Sequence, residues 1–422
     1  MKKHILQAHR ILMRVESEGA YSNMAFYGEN ASDMATLLVY GVLENKIRLE
    51  YIIDSLTTKK PQRAVYMLLR IGAYALENLS DVPKFAIVSE CVETAKSLGK
   101  SGAGGFINAV LKKIARGDYD LPIESDGNYL SVKYSKPQWF IDKLTKQYGY
   151  DTMRDIIEEK SDRLEHIRVN VRLANVNDIF DELKNDSNPC RMSDVGGIVA
   201  RGTDKVKAMF SEGRVTFQSA SSMVAVQALG LDKDNNLLDI CSAPGGKAVY
   251  ASELCKSVVA CDLHPHRVEL IEKYAKRMRA DNIVAVKQDA VKFDPKWENR
   301  FDRVLVDAPC SCFGTFLKHP DVFDSHGECD IPKISETQTK ILKNASRYVK
   351  KGGILVYSTC TLFDEENGSV VRGLVDNGGF ALEHISAIEN IEGGKYKDND
   401  GTVQILPHGE YDGFYVARLR KL

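Results

Sequence analysis

The sequence predicts a multidomain protein with an all-α bundle at the N-terminus, a small α+β connector and a C-terminal α/β domain. Three observations support this prediction. Helical periodicity without a strand pattern fills roughly the first 120 residues, mixed patterns follow, and from about residue 215 short apolar runs alternate with helices. A chain of 422 residues is long enough for two or three domains. We place them at residues 1–125, 126–205 and 206–422.

The N-terminal part predicts four helices. They are expected at Met34–Leu49, Pro61–Leu79, Phe85–Leu98 and Phe106–Arg116. Pro61 is a favoured residue for a first helical turn, and the glycine-rich hinge at residues 102–105 separates the last two helices. A turn-rich stretch beginning at Gly117 ends this bundle.

The connector mixes two kinds of pattern. Residues Trp139–Tyr148 have helical periodicity, whereas His166–Arg172 alternate between apolar and polar residues as a strand does. A small α+β unit is therefore expected between the bundle and the C-terminal domain.

The C-terminal part repeats a strand–loop–helix unit. Strands are predicted at Leu237–Ile240, Val258–Cys261, Ile283–Val286, Arg303–Val306 and Gly353–Tyr357. Helices are predicted from Lys247 and over His266–Arg279. Such alternation is typical of a parallel sheet covered by helices on both faces. Two final runs, at residues 403–406 and 413–419, predict a hairpin that adds an antiparallel edge.

Composition excludes several classes of protein. No apolar stretch reaches the roughly 18 residues of a membrane span, and the N-terminus has no apolar signal-peptide core, so we expect a cytoplasmic protein without a membrane partner. The nine cysteines are odd in number and include no C-x-x-C pair, which favours neither a disulfide framework nor a zinc site. We expect no metal.

Charge is unevenly distributed along the chain. Residues 1–116 carry 16 Lys+Arg against 11 Asp+Glu, and the remaining residues carry 41 against 47. A basic module joined to a mildly acidic one suggests that the first binds an anionic polymer, although scatter in surface charge would give the same totals.

The end of the first strand of the α/β domain predicts a cofactor site. Ligands of such sheets bind outside the carboxyl ends of the strands. The loop there lacks the P-loop and dinucleotide signatures, which favours a cofactor with an amino-acid tail such as S-adenosylmethionine. Acids at the next two strand ends, Asp262 and Asp289, are placed to bind ribose and adenine. The predicted loop residues are Cys241, Ser242, Ala243, Pro244, Gly245, Gly246 and Lys247.

Two cysteines and a carboxylate at the next strand ends suggest covalent catalysis. Cys310 follows Asp307, and Cys360 ends the following strand. One reaction that needs such a thiol is methylation of carbon 5 of cytosine. That carbon is a poor nucleophile, but a thiolate that adds to carbon 6 turns the ring into an enamine that can attack a methyl sulfonium. Asp307 would hydrogen-bond or protonate N3. We expect the attacking thiol to have a lowered pKa, from positive charge or a helix N-terminus nearby.

The chain resembles the Sun/Fmu (RsmB-type) family of 16S ribosomal RNA cytosine-C5 methyltransferases over nearly its whole length. The N-terminal part is similar to NusB-like RNA-binding domains, particularly at residues 106–111, and the connector is similar at residues 134–139 and 168–170. The specific motifs are Phe210–Gly213, Val215–Gln218, Cys241–Lys247, Asp307–Cys310, Ser358–Cys360, Glu365–Asn367 and Asp412–Tyr415.

This resemblance implies a fold and a set of roles. It implies a NusB-like bundle and a Rossmann-like methyltransferase domain, with ribosomal RNA as the substrate and S-adenosyl-L-methionine as the cofactor. The loop Cys241–Lys247 would hold the methionine end, and Asp307 would lie between cofactor and cytosine. Cys360 would be the nucleophile and Cys310 would assist product release, a choice that spacing and chemistry alone leave open. A monomer is expected.

One stretch departs from the family pattern, and three alternatives remain. Over Cys312–Asp321 this chain lacks the paired arginines of its relatives, and it lacks the tryptophan that follows soon after, which puts the RNA site in doubt.

The alternatives are the same chemistry on transfer RNA, a non-catalytic RNA-binding or antitermination factor, and a DNA cytosine methyltransferase with Cys310 as nucleophile.

Overall fold

The protein forms two compact units. The structure is a computed structural model that describes residues 1–18, 25–26, 29–161, 164–186, 189–388, 396–398 and 401–422. The first unit comprises Met1–Glu158 and His319–Glu328, and the second comprises Glu159–Lys318 and Cys329–Leu422. The domain boundaries placed after residues 125 and 205 stay predictions.

The first unit is a helical bundle, the class predicted for residues 1–125, and it also includes helices of the predicted connector. Its main helices are α1 (Lys2–Glu18), α2 (Asp33–Glu44), α3 (Lys46–Ser55), α4 (Arg63–Asn78), α5 (Lys84–Ser97), α6 (Gly104–Arg116), α7 (Tyr129–Tyr134), α8 (Gln138–Tyr148) and α9 (Tyr150–Glu158). Twelve of the sixteen residues of α4 are buried, so this helix lies at the centre of the core. Gly41 of α2 permits the close packing, because a Cβ there would lie 1.9 Å from the Tyr74 ring of α4.

Two predicted helix boundaries of this unit differ from those observed. The single helix expected over Met34–Leu49 is two helices, because Asn45 ends α2 in a non-helical conformation and α3 then begins. The helix expected from Pro61 begins two residues later, with Gln62 in the extended position before its first turn. Proline therefore marks the approach to this helix rather than its first turn.

The second unit opens with a four-stranded antiparallel sheet. Its elements are β1 (Glu165–Val169), α10 (Val176–Leu183), β2 (Cys190–Met192), β3 (Ile198–Ala200), α11 (Asp204–Ser211) and β4 (Val215–Phe217), with strand order β2-β3-β1-β4. The strand predicted to reach Arg172 ends at Val169, because the chain turns at Asn170. The Asn170 side chain donates to the carbonyls of Gly213 and Met278, at 2.9 Å each, and so fixes that turn.

The rest of the chain forms a large mixed sheet and the helices between its strands. Its elements are α12 (Ala220–Gln227), β5 (Asn236–Asp239), α13 (Gly246–Ser252), β6 (Ser257–Asp262), α14 (Pro265–Arg277), β7 (Ile283–Lys287), β8 (Phe301–Asp307), α15 (Val322–Ser325, in the first unit), α16 (Ile331–Tyr348), β9 (Val349–Thr359), α17 (Gly368–Val375), β10 (Phe380–Leu382), β11 (Tyr396–Asp398), β12 (Thr402–Ile405) and β13 (Phe414–Lys421). The strand order is β11-β12-β13-β9-β8-β5-β6-β7, and β10 pairs with β13.

The sheet is parallel in its centre and antiparallel at one side. Strands β5 to β9 pair in parallel, and β13 pairs antiparallel with both β9 and β12, so the predicted terminal hairpin is confirmed. Neighbouring residues Leu237 and Leu238 of β5 belong to different buried clusters, which shows that both faces of the sheet are covered. The Rossmann-like class predicted for this part of the chain is therefore confirmed.

Strand β5 lies where the direction of winding reverses. Its neighbours are β6 on one side and β8 on the other, and ligands of open α/β sheets bind at the carboxyl ends of strands beside such a reversal. Among the described residues, no helix is long and apolar enough to cross a membrane.

Candidate active site

The loop after β5 contains buried polar groups without hydrogen-bond partners. Asp239 ends the strand fully buried, and neither its carboxyl oxygens nor the Ser242 hydroxyl is hydrogen-bonded to a described residue. Gly245 has a φ of +109°, a conformation that favours glycine, and begins the turn into α13. Buried polar groups in native proteins nearly always have partners. The ammonium and carboxylate of an amino-acid tail would supply them, so the residues present fit such a cofactor.

Burial also alters the ionisation of Asp239. Burial first, and the charge of Asp307 second, raise the pKa of Asp239 to about 7. A cationic group bound beside Asp239 would favour its charged form, which is a second reason why this loop fits an ammonium-bearing ligand.

The two acids predicted to bind the nucleoside lie at neighbouring strand ends. Asp262 ends β6 with 5 % of its surface exposed, accepts a hydrogen bond from the His264 amide at 3.0 Å and pairs with Arg267 at 3.2 Å. Asp289 follows β7 and accepts from the Val291 amide at 3.2 Å. Both carboxylates are held by short local contacts at the carboxyl edge of the sheet, where the sequence predicts a ligand.

Asp307 is held between an ammonium group and a hydroxyl group. Its Oδ2 lies 2.7 Å from Lys247 Nζ, and its Oδ1 accepts a hydrogen bond from Ser358 Oγ at 2.8 Å. Parallel pairing of β8 and β9 sets Ser358 directly opposite Asp307. Burial opposes the charge on Lys247, but Asp307 outweighs it and the pKa of Lys247 is raised. The sequence assigns Lys247 to the cofactor loop and gives no sign of this ion pair.

The two predicted cysteines are neighbours, and a third lies with them. Cys310 Sγ lies 3.2 Å from Cys360 Sγ and 3.9 Å from Cys312 Sγ, and the three sulfur atoms all lie within 4.8 Å of one another. The Cys360 amide also donates to Cys310 Sγ at 3.4 Å. We call Cys310, Cys312 and Cys360 the thiol cluster.

The thiols do not have the lowered pKa that the sequence argument expects. Contacts within the thiol cluster, together with burial, raise the pKa of Cys310, Cys312 and Cys360 well above the ordinary thiol value. The nearby carboxylates Asp307 and Glu366 act in the same direction. The expectation fails because the Lys247 ammonium already pairs with Asp307 and three thiols crowd one another.

A buried glutamate connects the two cysteine-bearing loops. Glu366 accepts hydrogen bonds from the Ser311 amide at 2.9 Å, from the Ser311 hydroxyl at 2.5 Å and from the Thr361 hydroxyl at 3.3 Å. Gln338 of α16 donates to the same carboxylate at 3.1 Å. Ser311 follows Cys310 and Thr361 follows Cys360, so one carboxylate fixes the backbone beside both thiols. The sequence singles out Glu365–Asn367 as a motif but gives it no role.

The segment after Cys310, in which the sequence departs from its relatives, packs closely against the C-terminal motif. The Gly314 amide donates to the Cys360 carbonyl at 2.9 Å, and the Gly413 amide donates to the Gly314 carbonyl at 2.8 Å. A Cβ on Gly314 would lie 2.0 Å from the Gly413 carbonyl oxygen, so only glycine fits. Within this segment, the Lys318 ammonium forms an ion pair with Asp412 at 3.2 Å.

A separate basic groove lies on the first unit. It has a volume of about 750 Å³ and runs between α5 and α6. The lining residues are Lys84, Phe85, Val88, Ser89, Val92, Glu93, Gly104, Gly105, Asn108, Lys112, Ala115 and Arg116. The Phe85 ring is 79 % exposed, and Lys112 and Arg116 are exposed as well. Exposed aromatic and cationic side chains in one groove suit single-stranded nucleic acid.

Comparisons with known proteins agree with this architecture. The model of the 16S rRNA methyltransferase RsmB/F family matches residues 226–420, and the model of the NusB family matches residues 5–116. A relative from Bacillus subtilis (strain 168), a probable ribosomal RNA small subunit methyltransferase B, is 34 % identical over 97 % of each chain. Ribosomal RNA small subunit methyltransferase B of Escherichia fergusonii is 30 % identical over 91 % of this chain and 89 % of the relative.

Solved structures share the fold. The crystal structure of PH0851 covers 100 % of this chain and 99 % of that chain at 24 % identity, with a TM-score of 0.85. The structure of NSun6 from Pyrococcus horikoshii with SFG covers 68 % of this chain and 98 % of that chain at 21 % identity, with a TM-score of 0.59. Because the curated relatives match almost the whole chain at 30 % identity or more, the chain is an S-adenosylmethionine-dependent methyltransferase that belongs to the ribosomal RNA small subunit methyltransferase B family.

Proposed function

We propose that the protein methylates carbon 5 of a cytosine in 16S ribosomal RNA through a covalent bond between Cys360 and carbon 6. The observation that carries the proposal is the pair of thiols 3.2 Å apart, Cys360 and Cys310, in the loops that follow the strands ending at Asp307 and Thr359. Methyl transfer to an amino group needs no thiol, whereas activation of carbon 5 needs a nucleophile at carbon 6.

The chain's own groups divide the proposed reaction into steps. The Cys360 thiol gives up its proton as its sulfur bonds to carbon 6, and a proton shared between Asp307 and N3 neutralises the negative charge that develops on the ring. Bound S-adenosylmethionine supplies the methyl sulfonium that carbon 5 attacks. A base then takes the proton of carbon 5, the bond between sulfur and carbon 6 breaks, and Cys360 leaves as a thiolate. Cys310 lies within reach of Cys360 to assist this last step.

The raised pKa of the Cys360 thiol bears on the first step. Contact with Cys310 and burial hold that thiol protonated in the protein alone. Ionisation therefore belongs to the complex with substrate and cofactor, in which the sulfonium brings positive charge into the site.

Ribosomal RNA is the proposed substrate because the relatives that match the whole chain are named for it. The basic groove of the first unit suits a polyanionic substrate, and the names of the matching family and relatives favour RNA over DNA. A transfer RNA remains the nearest alternative. We expect the enzyme to act as a monomer in the cytoplasm and to need no metal for methyl transfer.

Two variants test the mechanism on unmodified 16S RNA. Cys360→Ala should abolish methylation and form no covalent adduct. Cys310→Ala should attack and transfer but fail to release its product, so a protein–RNA adduct should survive denaturing gels. Cys329→Ala is the matched control, because Cys329 is an exposed cysteine outside the thiol cluster.

Each other outcome has a clear meaning. An adduct with Cys360→Ala instead would reverse the two roles and favour the arrangement expected of a DNA enzyme. Full activity of both single variants would exclude the covalent mechanism. Methylation of transfer RNA but not of 16S RNA would keep the chemistry and change the substrate.

A further inference from the structure

The third thiol of the cluster has no part in the proposed reaction. One residue, Ser311, separates Cys310 from Cys312, and the fold brings Cys360 to them from the end of the neighbouring strand. Because Cys360 is distant in sequence, the spacing of the cysteines does not predict a set of three. Among the described residues, no other group of three potential metal ligands was found. None of the three residues is fully buried.

The backbone at Cys312 adopts a conformation unusual for a cysteine. Its φ is +60° and its ψ is 15°, in the left-handed region that non-glycine residues occupy at a cost of about 1–2 kcal/mol. Two groups of Thr315, the amide and the hydroxyl, donate to the Cys312 carbonyl at 3.0 and 2.9 Å and hold this turn. The turn leaves Cys312 Sγ 3.4 Å from the Cys310 carbonyl, beside the other two sulfur atoms.

The sulfur positions match the needs of a metal ion. Three thiolates at about 2.3 Å from a tetrahedral zinc ion lie roughly 3.8 Å apart. The observed separations are 3.2 Å and 3.9 Å, and the third is below 4.8 Å, so small side-chain rotations would bring all three to one ion.

The surrounding charge also favours a cation. The Glu366 carboxylate is hydrogen-bonded to Ser311 and Thr361, the residues next to Cys310 and Cys360, and the nearby Lys247 ammonium is paired with Asp307. A divalent cation that replaces the thiol protons would relieve the repulsion among three thiolates and two carboxylates.

We propose that Cys310, Cys312 and Cys360 together bind a soft d¹⁰ cation such as Zn²⁺, and that this ion reversibly inhibits methyl transfer. Each thiol releases its proton to solvent as a metal–sulfur bond forms, and no electron is transferred. The site is a three-thiolate set with one coordination position left for water. Inhibition, unlike binding, rests on the proposed function, because it requires Cys360 to be the nucleophile.

Metal binding is tested first, by titrating the full chain with Zn²⁺ under anaerobic conditions and measuring heat and proton release. Wild type should bind one ion tightly at this site. Cys312→Ser should weaken this binding on the order of 100-fold, since even an outer-sphere partner of a metal ligand contributes about 10–100-fold. Cys312→Gly should do the same in a backbone that suits its left-handed turn, so a folding defect of the serine variant cannot explain the loss.

Cys329→Ser controls for binding by an exposed thiol and should leave the affinity unchanged. Equal Zn²⁺ affinity of wild type and both Cys312 variants would overturn the proposal, and so would loss of the ion in Cys329→Ser alone.

Methylation assays then test the inhibition separately. The methylation rates of wild type and Cys312→Ser in a chelator give the reference value for each enzyme. At a Zn²⁺ concentration that saturates wild type, only wild type should lose activity. Equal inhibition of both would overturn the regulatory part. If wild type does not methylate 16S RNA in the chelator, the proposed function is wrong. The Zn²⁺ titration still shows whether the metal site exists.

Discussion

At the scale of single residues, Asp239 at the end of β5 has an unusual environment. Its carboxyl group is fully buried, and its pKa is raised to about 7 mainly by burial and next by the charge of Asp307. The folded protein keeps this proton up to about pH 7, whereas the unfolded chain loses it near pH 3.8. Stability should therefore fall as the pH rises between these values and stay at the lower level above them.

Asp239→Asn removes this pH dependence and should stabilise the ligand-free protein. We expect a gain of roughly 2–4 kcal/mol in the free energy of unfolding at pH 8, which shrinks towards pH 5. The two tryptophans lie in different units, so urea unfolding in a Trp139→Phe background lets Trp297 report on the second unit alone. An asparagine variant that is less stable than its parent at pH 8 would show that the charged carboxylate is stabilised by contacts.

A second residue-scale prediction concerns the cofactor. Asp262→Ala should weaken the binding of S-adenosylmethionine by about 1–3 kcal/mol, because a charged hydrogen bond to the ligand is left unmade. Calorimetry gives the affinity directly. Asp281→Ala, which removes an exposed acid near the end of α14, is the matched control and should bind like wild type. Unchanged affinity of Asp262→Ala would refute the predicted position of the cofactor.

At the scale of elements, strand ends and their loops determine where the reactive groups lie. Parallel pairing of β8 with β9 brings Asp307 opposite Ser358, and the loops that follow carry Cys310 and Cys360. Glu366 then ties the two loops together through Ser311 and Thr361. The relative position of the thiols therefore depends on one buried carboxylate as well as on the strands.

Glu366→Gln tests that dependence. The glutamine amide group would face donors from Ser311 and Gln338, so at least one hydrogen bond is lost, at about 1–3 kcal/mol of stability. We expect kcat to fall while the dissociation constant of S-adenosylmethionine stays unchanged, because Glu366 lies beside the thiols and not among the predicted cofactor ligands. The neighbouring exposed Glu365→Gln carries the same change in composition and should behave as wild type. Equal loss of cofactor affinity and kcat would point to general disorder of the unit.

The elements themselves were largely predictable from sequence, and their side-chain contacts were not. Apolar runs such as Val258–Cys261 predict strands because a strand buried on both faces excludes polar residues, and strand ends then indicate Asp262, Asp307 and Cys360. The break at Asn45, the Lys247–Asp307 pair and the position of Cys312 beside the other two thiols have no local pattern. They depend on long-range contacts or on backbone conformation that periodicity does not encode.

At the scale of the whole molecule, the N-terminal part of the chain has a net positive charge because it has few acidic residues. The excess of cations over residues 1–116 includes the exposed Lys112 and Arg116, which line the basic groove together with the exposed Phe85 ring. Cations bind RNA phosphates by releasing counterions, and aromatic rings stack on bases, so this groove carries both kinds of side chain that RNA binding would use. It need not carry any sequence specificity.

The double variant Lys112→Glu/Arg116→Glu tests this role without deleting a domain. Both side chains are exposed, so the fold should be unaffected. Affinity for unmodified 16S RNA should fall about tenfold or more at moderate salt, and the slope of log affinity against log salt should decrease by about two, one for each lost phosphate contact. Lys59→Glu/Lys60→Glu makes the same charge change at exposed residues outside the groove and serves as the matched control.

Filter binding over a salt series separates two explanations. Parallel losses in both double variants would mean that only the net charge of the first unit matters. A loss confined to the groove variant, with kcat preserved at saturating RNA, would identify α5 and α6 as an RNA-binding surface that raises substrate affinity and takes no part in the chemistry.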